Sequence, residues 1–261
     1  MKKKVMALVL SALMVTGLVG CGNNNDNSAD SKESTLKVGM ITDSGTIDDK
    51  SFNQGTWEGI IEAEEKLGIE KNYLKPSGET EADYLTEIQN LYDSGYKFIV
   101  GPGFKLETAI YKAQEKYQDA KFVILDGAPM DEDGNYVVAD NTVAIQFAEH
   151  EGGFAAGVAA AVELQTGDFG FIGGMESSAV KKFNFGFQQG VAYANENLGT
   201  NVSLKDENIV YSGSFSDLAL GQQLAAQMYD RGVKVIFTAA GGTGMGAITE
   251  AKIGRASCRE R

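Results

Sequence analysis

The sequence predicts an α/β protein in which two doubly wound parallel sheets form two lobes. Short β-branched runs alternate with helical stretches, the alternation pauses at a long helix rich in Ala and Gly, and it then restarts. Strands that alternate with helices at this spacing favour parallel sheets with right-handed crossovers. The restart predicts a first lobe at residues 36–145 and a second lobe at residues 146–252.

In the first lobe, short apolar runs separate amphipathic segments. The stretch Lys121–Leu125 reads KFVIL, which is typical of a buried strand, whereas Leu85, Ile88 and Leu91 recur at helical spacing. The same reasoning gives four strands and three helices, with a fifth strand expected at Tyr136–Ala139. The strands are Lys37–Thr42, Tyr73–Leu74, Phe98–Gly101 and Lys121–Leu125, and the helices are Lys50–Leu67, Glu81–Ser94 and Leu106–Tyr117.

The second lobe opens with the long helix, predicted at Ile145–Leu164, whose small residues would allow close helix packing. Three strand–helix units follow it. Their strands are Phe169–Ile172, Asn208–Tyr211 and Lys234–Thr238, and their helices are Ala179–Asn197, Asp217–Asp230 and Thr243–Ala251.

The N-terminus has the pattern of an export signal. Lys2–Lys4 form a basic start, and Val5–Gly20 carry no charge; this run is shorter than the roughly 20 residues of a membrane span. It ends in Leu-Val-Gly-Cys, which resembles the bacterial lipobox, a signal that is cut before a cysteine that then receives a diacylglycerol. We therefore expect a signal peptide at residues 1–20 and lipidation at Cys21. Residues 21–35 should form a polar, disordered tether.

The C-terminus breaks the pattern. Ile253–Arg261 reads IGRASCRER, which resembles the translation of a sequencing-library adapter. We exclude it from the prediction of the fold, and we expect the second lobe to be truncated near Lys252.

Composition narrows the possible functions. The chain has 36 acidic and 23 basic residues and a formal net charge of −13, which disfavours nucleic acid and phosphate-bearing ligands. Its only histidine is His150, and its two cysteines are Cys21 and Cys258. The sequence therefore predicts no disulfide, no metal site, no catalytic residues and no cofactor.

The ends of the predicted strands suggest where a ligand lies. In open α/β sheets, ligands bind beyond the carboxyl ends of the strands. Most of these strand ends are rich in glycine, and together they carry Asp43, Phe104, Asp126 and Phe215. We therefore expect one shared cleft.

Five segments resemble the basic membrane protein family, the PnrA-like nucleoside-binding lipoproteins. The first is Asp43–Gly59, which reads DSGTIDDKSFNQGTWEG, and the other four follow in the family's order. They are Phe122–Asp126 (FVILD), Gly173–Phe187 (GGMESSAVKKFNFGF), Tyr211–Asp217 (YSGSFSD) and Phe237–Gly246 (FTAAGGTGMG). The resemblance implies a periplasmic-binding-protein type I-like fold with two lobes, a hinge and a cleft.

The resemblance also implies a function and a set of ligand-binding residues. Family members bind purine nucleosides at the extracytoplasmic face of the cell membrane and serve ABC transporter permease and ATPase subunits. Phe52 matches a phenylalanine that stacks on the base, and Phe215 or Phe183 would form the opposite wall. The matched positions are Asp43, Phe52, Asn53, Asp126, Phe183, Phe215 and Gly241. The family's further aspartate and lysine contacts would lie beyond Lys252, so we expect weak binding by this chain.

The chemistry of these residues fits a neutral, flat ligand, although each has an ordinary structural alternative. Aromatic faces stack on a base, and an ionised carboxylate accepts hydrogen bonds from vicinal ribose hydroxyls. However, Asp43 could instead cap a helix or serve as a turn residue, Phe52 could pack in the core, and Asp126 could form an Asx turn.

Three other functions fit parts of the sequence. Gly242-x-Gly244-x-x-Ala247 follows a strand, as in dinucleotide-binding enzymes. Asp43, Asp48 and Asp49 could suggest a metal-dependent nucleoside hydrolase, although adjacent aspartates would diverge at the start of a helix. The same fold could also bind a sugar or another small metabolite.

Overall fold

A computed structural model describes the backbone of residues 35–259 and the side chains of residues 35–253. The signal peptide, Cys21 and most of the tether lie outside the described residues, as does the side chain of Cys258.

Strands and helices alternate along the described chain. The strands are β1 (Lys37–Ile41), β2 (Glu70–Leu74), β3 (Phe98–Pro102), β4 (Lys121–Leu125), β5 (Thr142–Ile145), β6 (Thr166–Gly173), β7 (Asn201–Tyr211) and β8 (Val233–Ala239). The helices are α1 (Phe52–Leu67), α2 (Glu81–Asp93), α3 (Glu107–Lys116), α4 (Glu149–Leu164), α5 (Ser178–Asn197), α6 (Leu218–Asp230) and α7 (Gly241–Arg259).

The first five strands form a parallel sheet in the order β2-β1-β3-β4-β5. Its faces are covered by different helices, because successive strand side chains point to opposite sides. Met40 packs with Ile60 of α1 on one face. On the other face Ile99 packs with Ile88 of α2 and Ile110 of α3. This arrangement confirms the predicted doubly wound layering.

The last three strands form a second parallel sheet in the order β7-β6-β8. Phe169 and Phe187 belong to the core that α4 and α5 form on one face. Ile172 and Met228 belong to the core beneath α6 and α7 on the other face. The strands of the first sheet all lie before residue 146, and those of the second sheet all lie after it. The bounds of the two lobes themselves stay a prediction.

The fifth strand was predicted at the wrong place. Tyr136 forms only an isolated antiparallel bridge with Met130, and Tyr136–Val138 are exposed. The fifth strand is instead Thr142–Ile145, which pairs with β4. Three of its four residues have the β-branched side chains that strands favour. Because the chain is still extended at Ile145, α4 begins at Glu149.

Smaller differences concern the ends of elements. Strand β7 begins at Asn201, earlier than the predicted Asn208, and the backbone of α7 continues beyond the predicted Ala251 to Arg259. None of the helices between residues 35 and 259 is both long and apolar enough for a membrane crossing.

Candidate functional site

A cavity of about 620 Å³ lies where the carboxyl ends of strands from both sheets meet. Its walls include the loops after β1, β3 and β7 and the first residues of α1, α5 and α7. The structure brings together all seven residues that the sequence predicted for the site. They are Asp43, Phe52, Asn53, Asp126, Phe183, Phe215 and Gly241. Their contact with a ligand stays a prediction.

Asp43 is held by a buried asparagine. Asn53, only 3% exposed, donates from Nδ2 to Oδ1 of Asp43 at 2.7 Å, and its Oδ1 accepts from the Asp43 N–H at 3.1 Å. The same Nδ2 donates to Oδ2 of Asp49 at 2.8 Å. Asn53 therefore fixes the loop after β1 against the start of α1.

Asp49, rather than Asp43, caps helix α1. Its Oδ1 accepts from the N–H groups of Ser51 at 2.8 Å and Gln54 at 3.1 Å, which would otherwise lack intrahelical partners. The capping alternative for Asp43 is therefore wrong. Its turn alternative is confirmed, because Oδ1 of Asp43 accepts from the Gly45 N–H at 3.2 Å, and the carboxylate also lies at the cavity wall.

Opposing effects act on the charge of Asp43. Burial raises the pKa of its carboxyl group, because removal from water penalises the ionised form. Hydrogen bonds from the Asn53 side chain and from the Gly45 and Ser44 backbones oppose this shift but do not cancel it.

Asp126 has an unusual backbone conformation. Its φ is +53°, a region that few side-chain-bearing residues occupy, and its N–H donates to the Ile145 carbonyl at 2.8 Å. An Asx turn would use the Ala128 N–H, but that group donates to Oε1 of Glu107 at 3.2 Å. The Asx-turn alternative is therefore wrong, and the Asp126 carboxyl group lies at the cavity instead.

A second carboxyl group lies next to Asp126. Glu149, the first residue of α4, is within hydrogen-bonding reach of Asp126 and has a side chain that is only 2% exposed. Burial and the neighbouring Glu149 raise the pKa of Asp126 to about 7. Lys182 of α5 lies 3.2 Å from Oε2 of Glu149 and favours its ionised form.

Aromatic rings from both halves of the described chain line the cavity. Phe52 is half-buried at the start of α1 and lies outside the core clusters of the first sheet. Phe215, in the loop after β7, meets Phe104 edge-on at 6.3 Å between ring centroids. Phe183 packs against Phe237, also edge-on, at 6.2 Å. The arrangement presents ring faces and edges to a ligand.

At Gly241, the first residue of α7, the backbone lies in the cavity wall. Its φ is +53°, and a Cβ there would lie 2.9 Å from the Phe215 carbonyl oxygen and 3.6 Å from Oγ of Ser51. Because both the conformation and the space favour glycine, the first turn of α7 can approach α1 and a ligand closely.

Sequence reasoning missed three residues of this region. Phe147, which is 50% exposed, lies in the cavity wall but had been assigned to a helix. Ser44 also lines the cavity, and its buried Oγ has no hydrogen-bond partner among the described residues. Glu149 lies behind Asp126. The β-branched run Thr142–Ile145 could have revealed Phe147 as a residue that follows a strand.

The aspartates near α1 do not form a metal site. Asp49 is occupied in capping, and Asp48 accepts from Oγ1 of Thr46 at 2.5 Å. Across the part of the chain that the structure describes, no group of three or more His, Cys, Asp and Glu side chains is arranged to hold a metal ion.

Residues 36–257 match the family model described as "ABC transporter substrate-binding protein PnrA-like". The match spans both sheets and every residue of the cavity.

Two bacterial relatives are similar over 97% of this chain. One is the "CD4+ T-cell-stimulating antigen" of Listeria innocua, at 37% identity. The other is the "ABC transporter nucleoside-binding protein BmpA" of Lactococcus lactis, at 35% identity. The chain spans 69% of the length of each relative.

Solved structures share the fold. An ABC transporter solute-binding protein from Aeropyrum pernix is 28% identical, with a TM-score of 0.74 over 87% of this chain and 60% of its own. A solute-binding protein from Conexibacter woesei has a TM-score of 0.62 over 83% of this chain and 68% of its own. At 21% identity, this second structure shows only that the two proteins share a fold.

Proposed function

The chain belongs to the family of PnrA-like ABC transporter substrate-binding proteins, and from this premise we propose that its cavity binds a purine nucleoside. The family consists of substrate-binding proteins rather than enzymes. The proposed role is to collect the nucleoside outside the cell and to deliver it to transporter permease and ATPase subunits.

The observation that carries the proposal is the convergence of two kinds of side chain on one cavity. Phe52 and Phe215 come from different halves of the described chain, as do the backbone at Gly241 and the carboxyl group of Asp43. A nucleoside has a flat base and a polar sugar, so it needs both aromatic faces and hydrogen-bond acceptors. The similarity to a relative named as nucleoside-binding supports this choice of ligand.

Each residue then has a distinct role. Phe52 stacks on one face of the base, and Phe215 or Phe183 closes the other face. Asp43 and Asp126 accept hydrogen bonds from ribose hydroxyls or from a ring N–H. Asn53 holds Asp43 in place, and the Gly241 backbone faces the ligand.

Titration calorimetry with three ligands tests the proposal. Inosine should bind, D-ribose should bind at least tenfold more weakly because it lacks the base, and inosine 5′-monophosphate should be repelled by the acidic site. Stronger binding of ribose than of inosine would favour the sugar-binding alternative. Absence of binding for inosine at millimolar concentration would exclude the nucleoside proposal for this chain.

We also propose that Cys21 carries a lipid that anchors the protein to the extracytoplasmic face of the membrane. Cells that express the protein are fed an alkyne-tagged fatty acid, and labelling is compared between Cys21→Ser and Cys258→Ser. Loss of label only in Cys21→Ser is the expected result, because these are the chain's two cysteines. Equal labelling of both variants would refute the anchor.

A further inference from the structure

Asp126 in the cavity wall and Glu149 behind it form an unusual pair of carboxyl groups. Asp126 follows β4 and is partly buried, and Glu149, at the start of α4, has a side chain that is only 2% exposed. Oδ1 of Asp126 is buried and has no hydrogen-bond partner in the described part of the chain, whereas Oε2 of Glu149 has the ammonium group of Lys182 at 3.2 Å. One proton between two adjacent carboxylates would provide a hydrogen bond and remove their mutual repulsion.

We propose that Asp126 and Glu149 share one proton and that nucleoside binding releases it, with Glu149 acting as the positioning residue for Asp126. This inference rests on the proposed function. The ligand's hydroxyl or ring N–H groups are donors, so they favour the ionised form of Asp126. The proton passes to the solvent, and the ligand replaces it as the hydrogen-bond donor.

The surrounding groups allow the pair to lose its proton. Lys182 of α5 lies 3.2 Å from Oε2 of Glu149 and partly neutralises the second negative charge. Glu107 of α3 is also nearby, but its Oε1 accepts a hydrogen bond from the Ala128 N–H and is not a member of the pair. Asp43 lies beside Gly103 in the cavity wall, where the positive charge of Lys105 acts on it.

The backbone makes the pair a fixed feature of the site. The positive φ of Asp126 is held by its hydrogen bond to the Ile145 carbonyl. The Phe147 N–H also donates to the Asp126 carboxyl group. Both contacts come from the segment that leads into α4, so the position of Asp126 relative to Glu149 is set by the fold itself.

The direct test counts protons by titration calorimetry with inosine. Binding is measured at pH 6 and pH 8 in pairs of buffers that differ in ionisation enthalpy. The wild-type protein should release close to one proton per inosine at pH 6, and its affinity should fall by about tenfold from pH 8 to pH 6. In Glu149→Gln, which keeps the side-chain shape, proton release and the pH dependence of the affinity should both be clearly smaller, because only burial then raises the pKa of Asp126.

A matched control is Glu151→Gln, which removes one negative charge from an exposed position on the same helix. It should keep the wild-type proton release and pH dependence. Proton uptake by the wild type, or an unchanged pH dependence in Glu149→Gln, would overturn the shared-proton proposal. Failure of inosine to bind any variant would instead count against the proposed function.

A ligand-free measurement tests the pair independently. The pKa of Asp126 is raised in the folded protein to about 7, against about 3.9 in an unfolded chain. Its stabilising effect is therefore complete below about pH 4 and is lost as the pH rises through about 7. Between pH 5 and pH 8, chemical denaturation should show a steeper loss of stability for the wild type than for Glu149→Gln. Equal slopes would argue against the shared proton even if inosine binds.

Discussion

At the scale of single residues, two aspartates close in sequence have different roles at the cavity. Asp49 caps α1, which leaves Asp43 at the cavity wall, and Asn53 connects the two carboxylates through one amide nitrogen. A run of acidic residues can look uniform in sequence, yet each carboxylate here has different partners. The local hydrogen bonds therefore distinguish a structural aspartate from a candidate ligand contact.

We predict that Phe52→Ala weakens inosine binding by about 1–3 kcal/mol, or roughly 5- to 150-fold, because a stacked base loses one aromatic wall. Titration calorimetry measures the change. Phe185→Ala is the matched control, since Phe185 is 62% exposed on α5 and lies outside the cavity wall. Wild-type affinity in Phe52→Ala would remove Phe52 from the binding site.

The hydrogen bonds of Asn53 lead to a separate prediction about stability. Asn53→Leu removes the amide between Asp43 and Asp49, so the free energy of unfolding should fall by about 1–3 kcal/mol. Chemical denaturation provides the measurement. The control is Asn90→Leu, at an exposed position on α2, which should change the free energy of unfolding much less. Similar losses in both variants would contradict the importance of the Asn53 hydrogen bonds.

At the scale of elements, α4 and α5 pack through glycines. A Cβ at Gly157 would lie 2.4 Å from the Phe187 carbonyl oxygen, and one at Gly190 would lie 2.2 Å from that of Phe154. Such distances leave no space for a methyl group, so the two backbones touch. This packing also positions Phe183 and Lys182, which α5 contributes to the cavity region.

We therefore predict that Gly157→Ala destabilises the protein by about 1–3 kcal/mol, because overpacking outweighs the better helix propensity of alanine. Gly59→Ala on α1 is the control. Nothing lies within 4 Å of its added Cβ, so it should raise stability by about 0.5–1 kcal/mol. Thermal and chemical denaturation distinguish the two. Stabilisation by Gly157→Ala would show that the helices can separate without cost.

At the scale of the whole molecule, residues far apart in sequence meet at one cavity. Ser51, which precedes α1, lies close to Gly241, the first residue of α7, and Phe104 contacts Phe215. A ligand bound in this cavity, as proposed, would contact elements of both sheets at once. Binding energy is thus available to favour one relative arrangement of the two sheets over another.

Hydrogen exchange tests whether a ligand contacts elements of both sheets. Saturating inosine should slow amide exchange both at residues 43–53 and at residues 213–217 and 241–245, because a ligand that binds both sides stabilises both against opening. Residues 201–207, in the part of β7 away from the cavity, serve as the internal control. Protection on only one side would contradict a ligand that bridges the two sheets.

The fold class was largely predictable because hydrophobic periodicity is a local property. Met40, Ile88 and Ile110 mark buried faces whatever the rest of the chain does. The error at the fifth strand arose because Val137 and Val138 have the same strand preference as Thr142–Ile145. Only pairing with β4 decides between them, and pairing depends on residues distant in sequence.

The sequence alone determined which residues could form the site, because strand ends and family motifs mark Asp43, Phe52, Asp126 and Phe215 directly. Tertiary structure decided the chemistry of each one. It assigned the capping role to Asp49, placed Glu149 behind Asp126 and brought Gly241 to Ser51. Charge state and contact depend on burial and on distances between residues remote in the chain, which a linear pattern does not contain.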